Sequence, residues 1–227
     1  YPKFYIHDTT EYVRQSLAIW EELGFEFDAI STGFIVTEEE TRIISDFCHR
    51  RAQKGTRVFV DPIMGDNGKL YAGVPESTIG LMRSLVECAD YAVPNYTEAC
   101  LLTDTPIAEE ITADEARTLV DAMLALGTKS VVITSAKVDG ASAVIGYDHV
   151  AGEYFEIPFE LIPVYFPGTG DTFSAVLMGR VMNGWSLQRA TADAMRVVAE
   201  LIERNADQED KSAGLPIEAC LDVIDHE

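Results

Sequence analysis

A chain of 227 residues with 47% hydrophobic content is long enough to bury one substantial core, so we expect a single domain over residues 1–227. Its 38 acidic residues outnumber its 17 basic ones, and the formal net charge of -21 argues against nucleic acid and anionic membranes as partners. Four cysteines without paired spacing, and no apolar run long enough to span a membrane, indicate a cytoplasmic protein with reduced thiols.

Helix signals alternate with short apolar runs over the first 140 residues. Three segments begin with the spacing of a capping box, in which a polar N-cap and an acidic residue three positions later satisfy each other's backbone N–H groups. Those pairs are Asp8 with Glu11, Thr37 with Glu40, and Thr112 with Glu115. Between them lie apolar runs typical of buried parallel strands, at 28–31, 58–60 and 131–133, with a shorter one around Tyr91.

The pattern changes near residue 141. Residues 141–147 and 153–158 read as the two strands of a hairpin, with a turn around Asp148 and Gly152. Two long helical segments follow, from about Asp171 and from about Ser186. This alternation of strands and helices predicts a layered α/β fold.

Polar residues follow the predicted strands, where a doubly wound sheet binds its ligands. The stretch DPIMGD runs from Asp61 to Asp66, Asn95 and Glu98 follow the strand near Tyr91, and the hydroxyls at 134–135 follow the strand at 131–133. Carboxylates and amides suit Mg²⁺, and hydroxyls suit phosphate. Ordinary turn, cap and strand-end chemistry is the alternative for each of these loops.

A fourth loop, FPGTGDTF at 166–173, places glycines directly before a carboxylate and an apolar helix. Gly168 and Gly170 let the backbone approach a ligand, and the N–H groups of the first helical turn form an anion site. Asp171 beside that site is suited to act as a general base. The alternative is that Asp171 is simply the N-cap of the helix. Residues 65–74 are glycine-rich and polar, which fits a mobile flap over a ligand or an exposed loop.

Together these loops resemble the ribokinase-like superfamily and, within it, the pyridoxal kinase branch. The matching stretches occur in the order FDAISTGF, VFVDPIMGDNGKLY, VPNYTEACLLT, VVITSA and GTGDTFSAVLMG. GTGD by itself indicates the superfamily, whereas DPIMGD followed by LY points to the vitamin B6 branch. The resemblance implies a three-layer α/β/α fold with a mostly parallel central sheet. It also implies a kinase that uses ATP and Mg²⁺, and in some members a monovalent cation, to phosphorylate the 5′-hydroxymethyl group of pyridoxal, pyridoxine or pyridoxamine in vitamin B6 salvage.

The resemblance also assigns residues by motif match. Asp171 is the general base, and Gly168, Thr169 and Gly170 form the anion hole. Asp66 and Glu98 serve Mg²⁺, directly or through water. The positions matching the ATP phosphates and their cation are Asp61, Asn95, Thr134 and Ser135. Phe34 stands where the family often has tyrosine and offers a stacking surface to the substrate ring. Phe34 and Asp171 are the two positions that match substrate-binding residues.

Alternatives to this activity stay open on the sequence. A hydroxymethylpyrimidine or sugar kinase shares the superfamily motifs, and a non-catalytic nucleotide-binding relative would keep the fold. Homodimers are usual in the resembled family, so the resemblance implies a homodimer. The family begins with a strand and a helix before the point that matches Tyr1, so we expect the natural protein to be longer at its N-terminus by at least a strand–helix–strand unit.

Overall fold

The computed structural model describes residue 5, residues 7–35 and residues 37–224. The helices of this part are α1 (Thr10–Glu22), α2 (Glu38–Ala52), α3 (Thr78–Val86), α4 (Tyr96–Thr103), α5 (Ala113–Ala125), α6 (Thr169–Met182) and α7 (Leu187–Arg204). The strands are β1 (Ala29–Thr32), β2 (Arg57–Val60), β3 (Gly65–Asp66), β4 (Lys69–Leu70), β5 (Tyr91–Ala92), β6 (Ser130–Val138), β7 (Ala141–Asp148) and β8 (Glu153–Phe159). Short 3₁₀ turns follow at Lys211–Ala213, Ile217–Ala219 and Leu221–Val223.

Six of these strands form one sheet in the order β1-β2-β5-β6-β7-β8. The first four are parallel to one another, and β7 and β8 are antiparallel additions at one side. Since parallel strands end at the same edge, the loops after β1, β2 and β5 emerge together. The mixed, mostly parallel sheet predicted from the sequence is confirmed.

The strands alternate their side chains between two apolar cores, one on each face of the sheet. Val58 and Val60 face the core built with α2 to α5, whereas Phe59 faces the core built with α6 and α7. Val132 lies in the second core, and both of its neighbours in β6 lie in the first. A strand that is apolar at consecutive positions is therefore buried on both faces, which gives the three-layer α/β/α arrangement.

Strand β6 is longer than the sequence predicts. The run 131–133 was expected to end at the hydroxyl residues, but the strand continues to Val138 and pairs with β7. The pairing register shifts between Ile133 and Ala136, and Ser135 has a φ of 59°. A bulge with one left-handed residue lets the strand pass this point, so Thr134 and Ser135 do not terminate it.

Side-chain caps open α2, α4, α5 and α7. Thr112 and Glu115 form the predicted capping box at α5, and the Thr37 side chain accepts from the Glu40 N–H at α2. The Asp8–Glu11 box is wrong: α1 begins at Thr10, and the Glu11 carboxylate accepts from Arg14 and Gln15 instead. No helix in the described ranges is both long enough and apolar enough to cross a membrane.

Candidate active site

The sheet brings the predicted loops together at the carboxyl ends of its parallel strands. Asp61 directly follows β2, and Asn95 follows β5 and pairs with Thr134 of β6 in a parallel bridge. The Thr134 N–H donates to the Pro94 carbonyl oxygen at 3.0 Å. After β1, Phe34 is 47% exposed at the same edge, so its ring is open to contact with a ligand.

Helix α6 begins near this edge with a backbone geometry that only glycine adopts easily. Its N-cap is Gly168, with a φ of 85°, and Thr172 donates to the Gly168 carbonyl oxygen through both its N–H and its hydroxyl. The helix therefore starts at Thr169, two residues earlier than predicted. Asp171 is the third residue of the first turn and not its cap.

The Asp171 carboxylate is exposed and chemically free. Within the described residues no group donates a hydrogen bond to it and no cation pairs with it. Its charge nevertheless reaches Asp61, because Asp171 contributes to raising the pKa of that carboxyl group. The interpretation of Asp171 as a helix cap is therefore wrong, because the N-cap is Gly168. The Asp171 side chain stabilises no other described residue through a hydrogen bond or an ion pair.

Asp61 is partly buried beside α6. Burial is the main cause that raises its pKa to about 6, and the negative charge of Asp171 acts in the same direction. The Ser174 hydroxyl opposes this shift by donating to Asp61 Oδ2 at 3.0 Å. Asp61 thus sits close to the point where it gains or loses a proton near neutral pH.

Glu98 is 3% exposed and accepts from three backbone N–H groups. Oε2 accepts from Asn95 at 2.9 Å as part of a capping box at α4, and Oε1 accepts from Met64 at 3.0 Å and Gly65 at 3.4 Å. Burial raises the Glu98 pKa to about 7, although these hydrogen bonds favour the ionised form. Glu98 consequently joins the helix start to the loop that carries Asp66.

That loop folds into the small hairpin β3–β4. Asn67 and Gly68 form its turn with φ values of 52° and 79°, as a two-residue type I′ turn requires. The Gly68 N–H donates to Thr97 Oγ1 at 2.9 Å, and Asn95 Nδ2 donates to the Gly65 carbonyl oxygen at 2.8 Å. The first half of the predicted flap is therefore an ordered hairpin held to the start of α4.

Acidic side chains accumulate around Tyr71, which follows the hairpin. Its partial burial, and then the charges of Glu98, Asp66, Tyr165 and Asp61, raise its pKa to about 12. None of the four site carboxylates, at positions 61, 66, 98 and 171, forms an ion pair within the described part of the chain. A cluster of carboxyl groups without a cationic partner favours the binding of a cation.

The donor set fits Mg²⁺ in the form that phosphate-transferring sites use. Over the described residues no three His, Cys, Asp or Glu side chains group into a protein-only metal cage. Mg²⁺ usually binds one or two carboxylates and completes its octahedron with water and substrate phosphates. Asp66 and Glu98 match that requirement as two neighbouring carboxylates, since the Gly65 N–H, next to Asp66 in the chain, donates to Glu98 Oε1 at 3.4 Å.

Several residues of the site were not found by sequence reasoning. The Asn67-Gly68 dipeptide is a strong hairpin signal and was visible in the sequence. Thr97 and Ser174 had no such signal, because their partners lie 29 and 113 positions away in the chain. Their roles depend on how α4 and α6 pack against the sheet.

Known proteins resemble this chain in sequence and in fold. The phosphomethylpyrimidine kinase family matches residues 7–215. The chain belongs to this family. A pyridoxal kinase from Arabidopsis thaliana is 34% identical over 174 residues, which are 72% of this chain and 53% of that relative. The chain spans about half the length of the curated relatives it matches, with 53% and 49% for the first two.

Two solved structures of the family share the whole fold. A Bacteroides thetaiotaomicron protein assigned as a phosphomethylpyrimidine kinase, in a crystal form with pyridoxal, is 32% identical with a TM-score of 0.92, over 100% of this chain and 80% of that one. Pyridoxal kinase from Lactobacillus plantarum is 26% identical with a TM-score of 0.84, over 99% and 80%. The predicted ribokinase-like fold and the resemblance to pyridoxal kinases are confirmed.

Proposed function

We propose that this chain carries the ATP-dependent phosphorylation of the 5′-hydroxymethyl group of pyridoxal, pyridoxine or pyridoxamine. The observation that carries the proposal is the Asp171 carboxylate in the first turn of α6, which has no hydrogen-bond partner among the described residues and lies within electrostatic reach of the partly buried Asp61. A base of this kind needs a side chain with no structural duty. The pyridoxal in the Bacteroides thetaiotaomicron relative and the activity named for the Arabidopsis thaliana relative support the choice of substrate.

In the proposed reaction Asp171 accepts the proton of the substrate hydroxyl as that oxygen forms a bond to the γ-phosphorus of ATP. The bond between the γ-phosphorus and the β,γ-bridging oxygen breaks, and ADP leaves with that oxygen. The N–H groups of Thr169 and Gly170 are in the first turn of α6, where they have no intrahelical acceptor and donate to the transferring phosphoryl oxygens. Positioning and charge stabilisation of this kind account for most of the catalysis in phosphoryl transfer.

The acidic zone would hold the metal. Asp66 and Glu98 are the proposed Mg²⁺ residues, and the bound ion supplies positive charge to the phosphate oxygens of ATP. Asn95, Thr134 and Ser135 lie at the strand ends where those phosphates would bind. A monovalent cation is an optional addition to this proposed site.

A homodimer in the cytoplasm belongs to the same proposal. Tyr12 and Ile19 of α1 and Leu23 at its C-cap fall on one side of the helix, spaced at seven and four residues, and their exposed fractions are 75%, 50% and 67%. An exposed apolar stripe of this kind is typical of a surface that binds another protein chain.

One second substrate is favoured by a specific observation. The matching family and the assigned activity of the Bacteroides thetaiotaomicron relative both name a phosphomethylpyrimidine kinase. Hydroxymethylpyrimidine, the form without the phosphate, is also an aromatic nitrogen heterocycle with a hydroxymethyl group, so the same base and anion site would act on it. Its phosphorylation would differ from that of a B6 vitamer in how the ring is held, whereas phosphomethylpyrimidine would present a phosphate as the acceptor.

A coupled assay of ADP release tests the proposal on the full-length natural protein. The panel contains the three B6 vitamers, hydroxymethylpyrimidine and ribose, and we expect the largest kcat/KM with a B6 vitamer. Asp171→Asn should lower kcat by about 10²–10⁴ and leave the thermal midpoint almost unchanged, because this carboxylate makes no hydrogen bond with any described residue.

Two results would contradict this reasoning. Binding of ATP without turnover of any alcohol would leave a non-catalytic nucleotide-binding protein. Near-normal turnover by Asp171→Asn would remove Asp171 from the chemistry even if the substrate is correct.

A further inference from the structure

We propose that Ser174 is a positioning residue, which fixes the start of α6 against Asp61 and thereby sets the place of the base. The inference rests on the proposed function for its kinetic consequence, whereas the contact itself does not depend on the identity of the substrate. Ser174 Oγ donates to Asp61 Oδ2 at 3.0 Å across 113 positions of sequence.

This use of a helical serine is unusual. A serine inside a helix commonly donates to the carbonyl oxygen four residues earlier, as Ser84 does to Gly80 in α3 at 3.2 Å. Ser174 has the same local opportunity but donates to a strand-end carboxylate instead. No other side chain of the described residues donates to the Asp61 carboxylate. The hydroxyl is therefore committed to a tertiary contact.

A second contact fixes the other end of the same helix. Arg57 Nη1 donates to the Val181 carbonyl oxygen at 3.4 Å. Arg57 is the first residue of β2 and Asp61 follows its last, whereas Ser174 and Val181 lie in the first and second halves of α6. The helix thus runs antiparallel to β2 and is held to it at both ends, which limits sliding along the strand.

Ser174 is also well placed relative to the base. It follows Asp171 by three residues, so both side chains lie on the same face of α6. Asp61 therefore meets a hydroxyl donor and a like charge from adjacent turns of one helix. Without the hydroxyl, repulsion from Asp171 would act on an Asp61 side chain that nothing holds, and the base would lose its fixed neighbour.

Two isosteric variants separate the hydroxyl from the shape of the side chain. Ser174→Thr keeps the donor and Ser174→Val removes it, and both introduce the same branch at Cβ. We expect Ser174→Val to lower kcat about 10- to 100-fold, as displacement of a reacting group by about 1 Å does. Its KM for the alcohol substrate should change less than about threefold, because the defect lies in the placement of the base and not in the binding of that substrate. Ser174→Thr should keep most of the rate.

Amide hydrogen exchange supplies a measurement that does not need activity. The amides of Thr172 and Phe173 should exchange faster in Ser174→Val than in Ser174→Thr, since the start of α6 is less firmly held. Ser84→Ala is the matched control, because it removes a helical hydroxyl that makes only a local bond and should change neither kcat nor these amides.

The outcomes are distinct. Equal kcat and equal exchange in the Thr and Val variants would overturn the positioning role. Faster exchange in both variants, or a rate loss of the same size in both, would also overturn it, because the branch and not the hydroxyl would then be responsible. If the wild-type protein turns over no substrate, the proposed function fails, and the exchange comparison still decides whether Ser174 holds α6.

Discussion

Replacing Glu98 by alanine removes the acceptor of three backbone N–H groups in the interior of the site. Met64 and Asn95 donate at 3.0 and 2.9 Å, and Gly65 donates at a longer 3.4 Å. A buried donor left without an acceptor costs about 1–3 kcal/mol, so the two short bonds alone amount to about 2–6 kcal/mol of folding free energy. That loss is a large part of the ~5–15 kcal/mol that is typical of a domain.

The same substitution also removes a carboxyl group that is costly to ionise inside the protein. Burial raises the Glu98 pKa from 4.5 to about 7. A group with a raised pKa binds its proton more tightly in the folded state, so its contribution to stability is complete below pH ~4.5 and is lost as the pH rises through about 7. The free energy of unfolding that Glu98 contributes falls by about 3 kcal/mol over the whole titration, and about 2 kcal/mol of this fall lies between pH ~5.5 and ~8.

The two effects give a pH-dependent prediction. Glu98→Ala should be less stable than the wild type at pH ~5.5, and the difference should shrink by about 2 kcal/mol by pH ~8. The assay is urea unfolding followed by circular dichroism at several pH values, with chelator present so that no metal binds the carboxylate. Unfolding free energies of variant and wild type are compared at each pH, so that the titration of all other groups cancels.

Glu115→Ala is the matched control. Glu115 is the acidic member of the capping box at α5, as Glu98 is at α4, but it is exposed to solvent. Hydrogen bonds from Thr112 lower its pKa, so its contribution is lost only as the pH falls towards the acid range. We expect a smaller destabilisation that does not shrink between pH ~5.5 and ~8. A Glu98→Ala difference that is constant or grows with pH would refute the argument from burial.

Three further changes test the hairpin, the metal site and the bulge. Asp66→Asn should raise the Mg²⁺ concentration for half-maximal rate, because one carboxylate fewer competes with the hydration of the ion; an unchanged Mg²⁺ titration would speak against the assignment. Gly65→Ala would place its Cβ 2.5 Å from the Lys69 carbonyl oxygen, so we expect a distorted hairpin and a higher KM for ATP. The control is Gly80→Ala in α3, where an added Cβ would have no atom within 4 Å. This change should stabilise the protein by about 0.5–1 kcal/mol in thermal unfolding, because alanine loses less conformational entropy than glycine in a helix. At the bulge, Ser135→Val should lower the free energy of unfolding by about 1–2 kcal/mol, because a branched residue at a φ of 59° is strained. Ser135→Gly should not destabilise the protein, because glycine adopts this conformation easily. Equal unfolding midpoints for the two variants would contradict this prediction.

Much of the site could be placed from sequence because its residues follow strands. The runs before Asp61 and Asn95 are apolar at consecutive positions, which marks strands buried on both faces and hence parallel. Parallel strands end at one edge, so the polar residues after them had to meet. The glycines before Asp171 likewise indicated a close approach of backbone and ligand, and Gly168 indeed has a φ of 85°.

The sequence by itself therefore determined the layers, the sheet edge and the residue types that gather there, because these depend on spacing along the chain. Only the tertiary structure decided what each side chain contacts. It gave α6 an N-cap at Gly168, which leaves the Asp171 carboxylate without a hydrogen bond in the described part of the chain, and it joined Ser174 to Asp61 across 113 positions. It also buried Glu98 among three N–H donors. Contacts of this kind depend on how helices pack on the sheet, and packing at distant positions leaves no local pattern in the sequence.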